Sequence, residues 1–226
     1  MSSGLLEWVS GLSSQKETGF GIAPGVVRDN FNLLSEGRVE VHITSHPEFN
    51  PMARILGLGG GSGRGFLWAP QVGDEVLVAF NKNDHRDAYV LGGLWSTMNR
   101  PPATSPTDFI TKRIIKTGVK DSPLAHSIEL DDALQSITIK TSTEQQITID
   151  PKKIEISTTK GVHTISMNLV AVPPSIEIST KGDIKLSAPT GKISLEALEL
   201  EMSGDVSASL SSNGDVTVQG LTIQLN

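Results

Sequence analysis

Pro70-Gln-Val-Gly-Asp-Glu-Val-Leu-Val-Ala-Phe80 decides how the first half of this chain folds. Gly73-Asp74 makes a tight turn, and the residues after it alternate, placing Val76, Val78 and Phe80 on one side of an extended strand. Similar strands lie on either side. Upstream, Gly25-Val-Val-Arg-Asp-Asn30 is a short strand, and Arg38-Val-Glu-Val-His-Ile-Thr44 puts Val39, Val41 and Ile43 on one face. Ala53-Arg-Ile-Leu-Gly57 and Gly65-Phe-Leu-Trp-Ala69 flank a glycine-rich loop, and Asp87-Ala-Tyr-Val-Leu-Gly-Gly-Leu-Trp95 closes the set. Short strands with turn residues between them predict a small closed barrel over residues 19–100. Gly92 and Gly93 suit a bend or a close backbone approach at a barrel corner. Trp68 and Trp95 are expected as large apolar plugs of the interior. Ahead of the barrel, Leu5, Trp8, Val9 and Leu12 follow i, i+3, i+4, i+7 spacing, so the segment 1–18 is either a short amphipathic helix or a frayed chain end.

Beyond the barrel the composition breaks. All ten aromatic residues lie at or before Phe109, and all seven arginines at or before Arg113. Residues 1–125 hold 12 acidic and 12 basic side chains, whereas residues 126–226 hold 13 acidic and 7 basic, the whole of the net charge of −6. The seam is Asn99-Arg-Pro-Pro-Ala-Thr-Ser-Pro-Thr107, which opens a stiff linker over residues 101–125.

From His126 short apolar–polar–apolar pieces recur: Ile128-Glu-Leu130, Ile137-Thr-Ile139, Ile147-Thr-Ile149, Ile154-Glu-Ile156, Ile176-Glu-Ile178, Ile184-Lys-Leu186, Ile193-Ser-Leu195, Leu198-Glu-Leu200, Val216-Thr-Val218 and Leu221-Thr-Ile223-Gln-Leu225. Asp, Asn, Gly, Pro, Ser or Thr occupy most connections, a period-2 strand pattern nested in a short repeat. Each piece offers only two or three aliphatic side chains, too few to enclose a core in one chain. The predicted architecture of residues 126–226 is therefore an intertwined trimeric β-helix, with Ile137, Ile139, Ile184, Leu186, Val216 and Val218 in a narrow aliphatic core. Met167 to Ser175, with Val172-Pro-Pro174, interrupts the rhythm and is expected to bulge. The fold class is all-β.

The ordered set Gly25-Val-Val, Gly37-Arg-Val-Glu-Val41, Ala53-Arg-Ile55, Pro70 to Phe80 and Tyr89-Val-Leu-Gly-Gly-Leu-Trp95 resembles the OB-fold domain of contractile-tail spike proteins, such as the phage baseplate assembly protein V and the VgrG spikes of type VI secretion. The resemblance implies a homotrimeric, non-enzymatic central spike in a virion tail baseplate or equivalent injection particle. It implies a spike that pierces the target envelope on sheath contraction and touches its membrane only transiently. It also implies two partners. A baseplate hub protein would dock on residues 1–25 and the barrel, with Leu5, Trp8, Val9 and Leu12 as contacts. Related spikes with their own apex carry a His-x-His pair near the C-terminus, but the last histidine here is His163. A separate PAAR-type tip protein is therefore expected on Leu221, Ile223, Leu225 and Asn226, and no cofactor or metal site is expected in this chain.

The residues offer little other chemistry. The chain has no cysteine, which excludes disulfides and thiolate metal sites. The start lacks the basic and long apolar regions of a secretory signal peptide, and no apolar run is long enough for a membrane span. Gly57-Leu-Gly-Gly-Gly-Ser-Gly-Arg-Gly65 matches neither phosphate-loop pattern and reads as a barrel loop. His42 and His46 are four residues apart but lack a third ligand. A β-helical polysaccharide-degrading enzyme is an alternative that wants aromatic platforms and paired carboxylates, and the second half has no aromatic residue. An OB-fold nucleic-acid module needs a basic groove with exposed aromatics, and the half that contains the barrel is charge-neutral.

Overall fold

The computed structural model describes residues 21–31, 36–120 and 122–224. The predicted N-terminal helix with Leu5, Trp8, Val9 and Leu12 lies outside them, as do Leu225 and Asn226. The chain divides into two units, residues 1–181 and 182–226, each described by itself.

The first unit opens with five strands: β1 (Ile22–Asp29), β2 (Arg38–Ile43), β3 (Met52–Ile55), β4 (Glu75–Phe80) and β5 (Ala88–Gly93). They close into a barrel of order β1-β2-β3-β5-β4. All neighbours are antiparallel except β3 and β5, which pair in parallel through Arg54–Tyr89 and Ile55–Val90. This is the five-stranded Greek-key arrangement of an OB-fold. Alternation places Val39, Val41, Ile43, Val76 and Val78 inside at 0% exposure, with Val27, Val90 and Phe80 beside them. Gly73, at φ +89°, turns the chain into β4, and its N–H donates to the Val27 carbonyl.

Two barrel expectations change. Gly65 to Ala69 form no strand; β3 reaches β4 through residues 56–74, where the only pairing is a Gly61–Arg64 bridge. Trp68 and Trp95 do not plug the interior; they are 48% and 70% exposed. Five strands this short enclose a space filled by Val, Ile, Ala and one Phe, with no room for an indole. Gly92 and Gly93 sit where Leu91 bulges against β4, between the Leu77–Gly92 and Val78–Val90 pairs.

The segment read as a linker contains α1 (Pro106–Thr111) and β6 (Lys112–Lys116). Ser105-Pro-Thr-Asp108 is a capping box. The Asp108 N–H donates to Ser105 Oγ, the Ser105 N–H donates to Asp108 Oδ2, and Pro106 opens the helix. The hairpin loop beyond β6 clasps the barrel: Gln71 Nε2 donates to the Gly118 carbonyl and the Lys120 N–H donates to Gln71 Oε1.

β6 begins a seven-stranded antiparallel sheet that continues through β7 (Ser127–Asp131), β8 (Ser136–Lys140), β9 (Gln146–Ile149), β10 (Lys153–Ser157), β11 (His163–Asn168) and β12 (Ser175–Thr180), in chain order. This corrects the expectation of intertwined chains over residues 126–180. A ten-residue connection joins β6 to β7, connections of three to six residues fold each later strand back on the one before, and hairpins satisfy the backbone within one chain. The loop between β11 and β12 falls where the rhythm breaks. The second unit carries no strand among residues 182–224, although Ile184, Leu186, Val216 and Val218 lie there, all exposed.

Two outcomes are expected. A Cβ on Gly25 would lie 2.5 Å from Val41 Cγ1 and 2.8 Å from the His42 carbonyl oxygen, whereas one on Gly92 would meet nothing within 4 Å. Gly25→Ala should therefore lower stability by about 1–3 kcal/mol in urea unfolding, and Gly92→Ala should leave it nearly unchanged. Equal effects at the two positions would contradict this packing.

Four surface carboxyls also make the fold acid-sensitive. Arg86 hydrogen bonds lower Asp84 from 3.8 to about 2. Asp87 is lowered by Asn81 and Tyr89, Asp108 by Thr104, and Asp150 by the Lys152 and Lys153 N–H groups. A folded pKa below the unfolded value stabilises above the unfolded value and loses that stabilisation as pH falls through the folded one. Unfolding midpoints should hold level above about pH 4 and fall between about pH 4 and 2. A midpoint that rises across that window would contradict the assignment.

Candidate assembly surfaces

The sheet's two faces differ sharply. Strand pairing aligns Ile115, Ile128, Ile139, Ile147, Ile156, Ile165 and Ile178 in one straight row across all seven strands. A second row, two residues along, holds Arg113, Leu130, Ile137, Ile149, Ile154, Met167 and Ile176. Both rows lie on the same face, and all of their positions except Arg113 are aliphatic or methionine. Ile128, Leu130, Ile137, Ile139, Ile147, Ile149, Ile156, Ile165 and Met167 are each 37–47% exposed, so this face is open. At about 4.8 Å per strand the band runs roughly 29 Å. Apolar residues scattered singly on a surface are ordinary; a contiguous band marks an interface.

The opposite face is polar apart from Ile114, and two clusters of charged groups pair on it. Lys112 Nζ lies 2.8 Å from Glu129, 3.4 Å from Asp108 and 3.7 Å from Asp131, and the Lys112 ammonium is held above its ordinary value chiefly by the Glu129 hydrogen bond. Lys153 pairs with Glu155 at 2.7 Å. Thr138 and Thr148 sit between these pairs. Asp131, 5% exposed, accepts the Ala133 and Leu134 N–H groups at its other oxygen.

On the barrel, the loop after β3 and the end of β5 line an open groove. Phe66 and Trp68 stack at 5.7 Å between ring centroids, and Leu56, Leu58 and Trp95 lie exposed around them. Arg64 and Arg100 share the groove with Asp74 and Glu75. The aromatics suit stacking, but the mixed charges form no basic track of the kind a nucleic-acid backbone needs. A separate barrel network joins Arg54 and Asn81 to Asp87, with the Tyr89 hydroxyl donating to Asp87 Oδ2 and the Arg54 guanidinium over the Tyr89 ring.

Of the residues singled out in the sequence, the structure brings Ile137 and Ile139 together on the apolar face. Ile184, Leu186, Val216, Val218, Leu221 and Ile223 belong to the second unit. Ile115 and the Lys112 cluster escaped the pattern reading, because the adjacent Ile114 and Ile115 break alternation. The capping box at Ser105 was the signal that order extends there. His42 Nδ1 bonds Asn50 Oδ1 at 3.0 Å, and His46 Nδ1 bonds Ser45 Oγ at 2.9 Å. No group of three or more His, Asp or Glu suited to a metal occurs among the described residues.

A comparison with curated proteins found no match. Residues 23–95 match the family of the type VI secretion system/phage-baseplate injector OB domain. That span runs from the first buried residue of β1, Ala23, to Trp95 just past β5. Barrel order, the β-branched interior and this match agree, and residues 23–95 are similar to the injector OB domain of type VI secretion systems and phage baseplates.

Proposed function

We propose that this protein is the central spike of a contractile-tail baseplate, a homotrimer that transmits the force of sheath contraction to the target envelope and contacts its membrane only in passing. The observation that carries the reading is the two-row aliphatic face joined to an injector OB barrel. Three such sheets, each turning its rows toward a common axis, form a triangular prism with the polar faces outward. The occupant of the apolar face is then two further copies of the same chain. A band that is aliphatic apart from Arg113 at one end suits packing against its own kind and offers little to a polar ligand. Burying each half-exposed Ile contributes about 1–2 kcal/mol. Beyond Lys181 the alternating pieces find no strand partner within residues 182–224, so the three chains intertwine there and supply one another's backbone hydrogen bonds. The hub protein docks on residues 1–25 and the barrel, where the Phe66–Trp68 groove adds apolar area. A separate tip protein caps the end near Leu221 and Ile223.

Sedimentation of the purified chain should show a trimer, and Ile139→Asp should abolish it. That substitution sets three carboxylates in an aliphatic prism, at a cost of several kcal/mol each unless neutralised. A folded wild-type monomer at micromolar concentration, or a trimeric Ile139→Asp variant, overturns the reading.

The hub contact is tested separately. Deleting residues 2–18 should weaken co-purification with the hub protein while leaving the trimer intact. Unchanged co-purification would place the contact on the barrel alone.

A further inference from the structure

The turns of the seven-stranded sheet repeat one chemistry. After β7, Asp131 Oδ1 accepts the N–H groups of Ala133 and Leu134 at 3.0 Å each. After β9, Asp150 Oδ1 accepts those of Lys152 and Lys153 at 2.7 and 2.9 Å. After β11, Asn168 Oδ1 accepts those of Val170 and Ala171 at 3.1 and 3.0 Å. At the other edge a threonine does the equivalent work. Thr117, Thr141 and Thr158 each accept, at Oγ1, the N–H of the residue that opens the next hairpin: His126 at 2.9 Å, Gln145 at 3.2 Å and His163 at 3.1 Å. Each threonine N–H in turn donates to that residue's carbonyl.

These caps divide the sheet at His126, Gln145 and His163 into successive units of the form His/Gln-x-Ile-x-Leu/Ile/Met-Asp/Asn, a turn, then Ile-x-Ile-x-Thr. Residues 126–144 and 145–162 are two units, and 163–180 is a third with a longer turn. The second unit contrasts with them. Ile184-Lys-Leu186 and Ile193-Ser-Leu195 keep the apolar spacing, but Ser187 stands where Asp or Asn caps and Ala197 where Thr caps. No strand forms among residues 182–224.

We infer that residues 126–180 are a tandem array of one capped hairpin unit, and that each whole unit is an interchangeable length element of the shaft. One unit adds two strands, which is about 10 Å of sheet at roughly 4.8 Å per strand. It also returns the chain to the same edge, with the same face of the next strand inward. A fraction of a unit does not. Because side chains alternate with a period of two, a cut that shifts phase by one residue moves every later Ile to the polar face.

Excision from the full chain tests this without reference to any partner. Removing residues 145–162 joins Glu144 to His163, keeps both cap types and aligns Ile139 with Ile165. This variant should fold with a thermal midpoint within about 5 °C of the parent's, keep the parent's oligomeric state, and be about 10 Å shorter by small-angle scattering. Duplicating residues 145–162 after Val162 should lengthen the particle by the same amount. Removing residues 153–162 instead joins Lys152 to His163, puts Ile165 out of phase and should leave the sheet unfolded by circular dichroism. Unfolding of either whole-unit variant, or parent-like folding of the ten-residue excision, overturns the inference. A monomeric parent would remove the trimeric reading and leave these length and folding comparisons valid.

Discussion

A pair of backbone N–H groups donating to one Asp or Asn side-chain oxygen, at every second turn, is the contact on which the register of the seven-stranded sheet depends. Without it the strands would still alternate apolar and polar residues, but their phase would rest on the backbone ladder and the threonine caps alone. A slip of one residue would carry every isoleucine to the other face. Asp131, Asp150 and Asn168 pin one edge, and Thr117, Thr141 and Thr158 pin the other. With both edges pinned, the aliphatic positions become two straight rows instead of a scatter. The apolar face exists only because the register does.

The barrel answers the same alternation differently. Its strands curl until the apolar side meets itself, helped by bulges between Val27 and Asp29 and between Leu77 and Val78. Gly25 lets β1 cross close over Val41 and His42. Val39, Val41, Ile43, Val76 and Val78 therefore find their core within one chain, whereas Ile139 and Ile147 do not. One polypeptide contains a barrel with its apolar side enclosed and a sheet with its apolar side exposed. That inequality is what the trimeric spike reading explains.

The two halves are also joined physically. Gln71, at the turn into β4, exchanges hydrogen bonds with Gly118 and Lys120 in the hairpin that follows β6. Lys112 gathers Asp108 of α1 with Glu129 and Asp131 of β7. A segment of proline, serine and threonine that reads as a spacer thus anchors the first strand of the sheet. The reason is local: Ser105 and Asp108 satisfy each other's backbone donors, and Pro106 has the helical φ already set.

By itself the sequence determined that Arg38–Ile43, Glu75–Phe80 and the pieces at Ile128, Ile137, Ile147, Ile154 and Ile176 are extended and which of their side chains share a face, because these depend on period-2 alternation; it missed β6 and β11 and placed a strand at residues 65–69 where none forms. It also carried the ordered motifs by which the barrel resembles injector OB domains. Only the tertiary structure decided that Trp68 and Trp95 stand outside a barrel filled by Val39, Val78 and their neighbours, since interior volume depends on how five strands close. Only it decided that residues 127–180 pair as antiparallel hairpins in a single chain, since an alternating strand reads the same whichever way its neighbour runs. The role of Asp131, Asp150 and Asn168 as equivalent caps likewise appears only from the N–H groups that their side chains accept. Long-range pairing leaves no trace in the spacing of any one strand, and that is why the apolar face could be listed from the sequence but not assembled from it.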